Sequence, residues 1–118
     1  MMNENINILD IAKNHLPAIY ELWKKSAQKT TSGYPFDYQN ISTKSEALIN
    51  NFYRLKNRNV LDIGCNSGLY SLLIGRIAHS VIATDIDQEL INRAIQANQY
   101  FEKYIYSTHN VKFKTGNF

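Results

Sequence analysis

Two carboxylates, Asp62 and Asp85, flank a glycine turn that runs from Gly64 through Cys65, Asn66 and Ser67 to Gly68. Glycine at a strand-to-helix turn allows positive φ and lets a ligand approach with no Cβ in the way. The helix that follows offers free N–H groups and a partial positive charge, which suit an anion or a carboxylate. Asp85 follows about twenty residues after the turn, where an acid is suited to gripping two ribose hydroxyls. A ligand with a ribose and a negatively charged end would satisfy both places.

A nicotinamide dinucleotide is one candidate, but its fingerprint is G-x-G-x-x-G. Here the middle glycine position holds Asn66 and the last holds Leu69. Asp62 would also repel a pyrophosphate. S-adenosylmethionine fits better: it has a ribose, no phosphate, and an amino-acid end bearing an ammonium and a carboxylate. Asp62 can serve the ammonium side, directly or through water, and the turn N–H groups the carboxylate side.

At these residues the chain resembles the class I S-adenosylmethionine-dependent methyltransferases. "VLDIGCNSG" is similar to their first motif, "VIATDID" to their second and "VKFKTGNF" to their third, in the family's order and spacing. The resemblance covers Asn59 to Phe118. It implies that Asp62, Gly64, Cys65, Asn66 and Gly68 line the cofactor, that Asp85 is the ribose acid with Ile86 beside it, and that Asn117 reaches the adenine amino group. Asn66 stands where glycine is commonest; asparagine tolerates left-handed backbone better than most residues. Asn117 stands where aspartate is commoner, and its side-chain oxygen still accepts a hydrogen bond. The implied activity is methyl transfer to an unidentified acceptor. A small molecule is favoured and RNA is the second candidate. The alternative is a non-catalytic S-adenosylmethionine-binding or scaffold fragment that needs a partner for activity.

The elements that must position these residues read as an α/β chain. "NRNVLDI" and "SVIATDI" are continuous apolar runs, expected to be strands buried on both faces of a parallel sheet. "GLYSLLIGRIAH" reads as the helix between them. Asp87 can cap the next helix, which sets Leu90, Ala94, Ala97 and Phe101 along one side. "NVKFKTGNF" begins as a third strand. The expectation is a Rossmann-like doubly wound parallel sheet with only its first three strands present, preceded by N-terminal helices.

Upstream, "ILDIAKNH" suggests a short helix, and Pro17 fits the first turn of a second one carrying Ile19, Leu22, Trp23 and Ala27. "TTSGYPFDYQN" breaks the pattern. Its aromatics, Tyr34, Phe36 and Tyr38, either pack the loop onto the domain, the preferred reading, or form a lid. Thr43 and Glu46 make a capping box for a helix carrying Ala47, Leu48, Phe52 and Leu55. The domain expectation is residues 1–42 as helices and aromatic loop, a cap or lid, and 43–118 as the first, truncated part of the cofactor-binding domain. The family's fourth strand, which commonly helps to hold the acceptor, has no counterpart here. An N-terminal portion of a methyltransferase is therefore expected, one that self-associates or needs a completing polypeptide.

No catalytic base can be named, although Tyr34, Asp37 and Tyr38 are candidates to border an acceptor pocket. His15, His79 and His109 are isolated, and no spacing suggests a metal. Cys65 has no neighbouring cation to activate it as a nucleophile. The chain has 118 residues, and its 44% hydrophobic content suits one globular domain. Its net charge of +3 is dispersed rather than clustered, which argues against a dedicated nucleic-acid surface. No apolar run is long enough for a bilayer and no secretory signal opens the chain, so a cytoplasmic protein without a membrane partner is expected.

Overall fold

The computed structural model describes residues 4–26 and 51–116. The chain divides into two compact units, Met1–Asn51 and Phe52–Phe118. The start of the capping-box helix with Ala47 and Leu48, the aromatic loop with Tyr34, Asp37 and Tyr38, and Asn117 lie outside the described residues; Phe52–Leu55, expected at the end of that helix, form a 3₁₀ turn.

In the first unit, α1 is one helix over Glu4–Ser26, with Pro17 inside it. This corrects the expectation of two helices. An internal proline forfeits one backbone hydrogen bond and crowds the preceding turn, at about 3 kcal/mol. The apolar stripe continues past it and offsets that cost: Ile11, Leu16, Ile19 and Trp23 are all buried. Leu22 falls outside the stripe and is exposed. Lys24 and Lys25 occupy the last turn, where cations complement the helix dipole.

The second unit runs through a 3₁₀ turn at Phe52–Leu55, β1 (Asn59–Ile63), α2 (Leu69–Ile74), β2 (Ser80–Asp85), α3 (Gln88–Tyr104) and β3 (Val111–Thr115). The strands are parallel in the order β1-β2-β3. This is the Rossmann-like α/β arrangement expected from the alternating pattern. The register aligns Val60 with Val81 and Val111, and Asp62 with Ala83 and Phe113. Val81, Ala83 and Val111 are buried on this face, against which α2 and α3 pack.

The opposite face carries Leu61, Ile63 and Ile82, exposed to 48%, 65% and 37%. Burial of these strands on both faces was the expectation; among the described residues the helix-bearing face is covered, while on the other face Thr84 is buried and these three apolar side chains are exposed. Both crossover helices fall on the same side because successive right-handed connections step the same way across the sheet. β1 pairs with β2 alone among the described strands.

α2 is shorter than its apolar run suggests. It ends at Ile74, capped by Gly75. The Asn110 side-chain amide then donates to the carbonyls of Gly75 and Ala78, at 2.8 and 3.0 Å, and turns the chain toward β2. α3 opens on Asp87, whose side chain accepts from Glu89 N. Its buried face is Ile91, Ala94, Ala97 and Phe101, with Ile91 in the place assigned to Leu90, one residue off in helical phase. Beyond the helix, Thr108 N donates to Glu102 Oε1 at 2.6 Å, and the Thr108 hydroxyl also meets Asn98. These bonds fix the entry into β3.

Candidate functional site

The carboxyl ends of β1 and β2 bring the glycine turn, Asp62, Asp85 and Ile86 into one region. Gly64 and Cys65 both donate to the Thr84 carbonyl, at 2.8 and 2.9 Å, which ties the turn to β2. Asn66 N donates to Asp85 Oδ2 at 3.0 Å, and Asp85 Oδ1 accepts from Asp87 N at 3.0 Å. Asp85 therefore bridges the turn and the start of α3 while keeping further lone pairs available. Asn66 adopts φ 58°, the left-handed conformation expected of it, and its Oδ1 accepts from Ser67 N at 2.8 Å.

The expectation was free N–H groups at the N-terminus of the following helix, with the turn N–H groups serving a ligand carboxylate. Within the turn itself, the amides of Gly64, Cys65, Asn66, Ser67 and Gly68 all have acceptors inside the protein. Positive φ is open to Gly64 and Gly68 and costly only at Asn66, and these bonds hold the turn in place.

The two glycines differ. Gly64 has φ +73°, and a Cβ built on it would meet nothing within 4 Å. It borders open space. At Gly68, φ +82°, a Cβ would lie 2.6 Å from Phe113 Cε1 and 2.7 Å from the Ala94 Cβ. Gly68 permits α2, α3 and β3 to close on one another. Gly116, which follows β3, also borders open space and donates to the Asp85 carbonyl at 3.0 Å.

Cys65 is buried with Ala83 and Ile91, and Phe113 packs against them. Burial, followed by the charges of Asp62 and Asp85, pushes its thiol up to about 11. That excludes a thiolate nucleophile near neutral pH. Ile86 is 72% exposed, a large apolar side chain next to Asp85.

Asp62 is half-buried, and its Oδ2 accepts from Ser71 Oγ at 2.5 Å. Ser71 was absent from the sequence-based candidates. The available signal was a small polar residue within the apolar run "LYSLLI". His79 and His109 are exposed, and His109 Nδ1 pairs with Ser107 Oγ at 2.8 Å. No cluster of three metal-ligating side chains occurs among the described residues, nor is any helix there long and apolar enough to cross a membrane.

No protein-family model matches the sequence, and no curated protein matches it. Solved structures do match. The YcgJ protein of Bacillus subtilis is 27% identical, with a TM-score of 0.50 over 61% of this chain and 30% of its own. Magnesium protoporphyrin IX methyltransferase of Synechocystis, solved with bound S-adenosylmethionine, is 16% identical, with a TM-score of 0.57 over 99% of this chain and 56% of its own. A candidate RNA methyltransferase of Pyrococcus horikoshii is 22% identical, with a TM-score of 0.52 over 64% of this chain and 35% of its own. The parallel sheet with its glycine turn is thus a Rossmann-like α/β architecture. More narrowly, the chain has the fold of the class I S-adenosylmethionine-dependent methyltransferases. It spans between about a third and just over half the length of these three structures.

Proposed function

We propose that this chain binds S-adenosylmethionine at the carboxyl ends of β1 and β2, as the cofactor-binding part of a methyltransferase. The observation that carries the reading is the placement of two carboxylates, Asp62 and Asp85, around a turn whose Gly64 opens onto unfilled space. Asp85 holds the ribose hydroxyls with the lone pairs left over from its two backbone bonds. Asp62 holds the ammonium. Ile86 supplies an apolar surface for the adenine, and Asn117 reaches its amino group. The Asn66 side-chain oxygen stands on Ser67 N, where a ligand carboxylate takes its place. Cys65 and Gly68 shape the turn from within.

The bound cofactor supplies a methyl group made electrophilic by the sulfonium. The protein has to align an acceptor with it, and orientation alone is a large part of such catalysis. We propose a small-molecule acceptor, since the basic residues are dispersed, with RNA as the second candidate. Residues 1–42 serve as a cap or lid, and 43–118 as the first part of the catalytic domain. The exposed Leu61, Ile63 and Ile82 support self-association or completion by another polypeptide.

Calorimetric titration with S-adenosylmethionine and with NAD tests the cofactor reading. Binding of the first and not the second is expected; the reverse would refute it. Sedimentation of the purified chain tests the association, and a strict monomer would rule out self-association.

A further inference from the structure

We infer that Ser71 is a positioning residue, which holds Asp62 in place to meet the ammonium of the cofactor's amino-acid end. The inference rests on the cofactor reading above. Ser71 is 0% exposed, in a helix whose other buried residues are Leu72, Leu73 and Ile74. A hydroxyl in such a place must find a partner, because an unpaired one carries the full desolvation penalty. Helical serines commonly bond the carbonyl one turn back. Ser71 instead reaches across to β1 and donates to Asp62 Oδ2 at 2.5 Å, within the range of hydroxyl-to-carboxylate bonds.

The pair makes poor sense as packing alone. Asp62 lies on the helix-covered face, in register with the fully buried Ala83. A half-buried carboxylate facing the helix is partly desolvated, and such a polar pair is weak evidence for stability on its own. The arrangement is explained if Asp62 is needed for a ligand and Ser71 fixes its rotamer. With Oδ2 anchored, Oδ1 remains as an acceptor at a set position. Ser71 comes from α2 and Asp62 from β1, so this bond also transmits the helix position to the carboxylate.

The test compares two ligands in calorimetry of the full chain. S-adenosylhomocysteine carries the amino-acid end; methylthioadenosine has the same nucleoside without it. Ser71→Ala should weaken S-adenosylhomocysteine about tenfold and leave methylthioadenosine within twofold. Ser71→Cys keeps the shape with a slightly larger, weaker donor, and should fall between wild type and alanine. In an Asp62→Ala background, Ser71→Ala should cost nothing further, since the effect passes through Asp62. Equal loss for both ligands, no loss for either, or additive loss in the double variant would overturn the role of Ser71 and leave the cofactor reading standing. Failure of the unmutated chain to bind either nucleoside would overturn both.

Discussion

Replacing Asp85 with alanine removes two kinds of interaction that the structure allows to be separated. The carboxylate accepts from Asn66 N and Asp87 N, each at 3.0 Å. Hydrogen bonds to a charged acceptor contribute about 1.5–3 kcal/mol when sheltered, and solvent competition at this half-buried site reduces each to about 1 kcal/mol. Asp85→Ala should therefore lower folding stability by about 2 kcal/mol, read from the urea midpoint at constant m-value. It should also weaken S-adenosylhomocysteine at least tenfold, because charge-assisted bonds to the ribose hydroxyls are lost. Turn damage alone could mimic that second effect. Asn66 depends on the Asp85 bond while holding φ 58°. Adding Asn66→Gly relieves the steric demand at that residue. The double variant should recover part of the stability and none of the affinity. Recovery of both would show that Asp85 acts only through the turn. Unchanged affinity in folded Asp85→Ala would refute the ribose assignment outright.

The paired glycines should respond in opposite ways. Gly64→Val places its side chain in open space at φ +73°, so calorimetry should show binding abolished, while urea unfolding shows only the backbone strain of about 1–3 kcal/mol. Gly68→Ala drives a methyl into Phe113 and Ala94, so unfolding should show a loss of about 2–4 kcal/mol, with residual binding in whatever remains folded. The Cys65 thiol, pushed up to about 11 from 9.0, should resist alkylation by iodoacetamide at pH 8 and react steeply only as pH approaches 11. Between pH 9 and 11 the folded state holds the proton that the unfolded chain releases. Stability should thus be complete below 9 and decline as pH rises through that window. Rapid alkylation of the folded chain at pH 8 would contradict the buried position.

Part of this was readable from residue types. The runs "VLDI" and "SVIATD" are too apolar and too β-branched for loops, and a helix-period segment between them forces a crossover, so parallel pairing follows. Asp87 was readable as a cap because its short carboxylate lies one residue before a periodic stretch. Pro17 misled, since local propensity argues for a new helix there while the stripe through Ile11, Leu16, Ile19 and Trp23 continues across it. The apolar run of β1 was also ambiguous: it shows that Leu61 and Ile63 tolerate burial, not that anything covers them.

The site was legible to the level of backbone conformation and no further. Gly64 and Gly68 both signal positive φ, and both have it. The sequence does not indicate where each missing Cβ would have pointed, and that direction separates a ligand-facing glycine from a packing glycine. The same gap hid Ser71. Its distance of nine residues from Asp62 is nothing a local pattern detects, because the contact runs between a strand and the helix folded back over it. Likewise, the turn amides were expected to face a ligand because they follow a strand and precede a helix. Their acceptors come from Thr84, Asp85 and the turn itself, and the first two are set by the pairing of β1 with β2. A turn so fully bonded is rigid before any ligand arrives. On the cofactor reading proposed above, that rigidity holds Asp62 and Asp85 in place around Gly64, and Ser67 N is the amide that a ligand carboxylate reaches by displacing the Asn66 side chain.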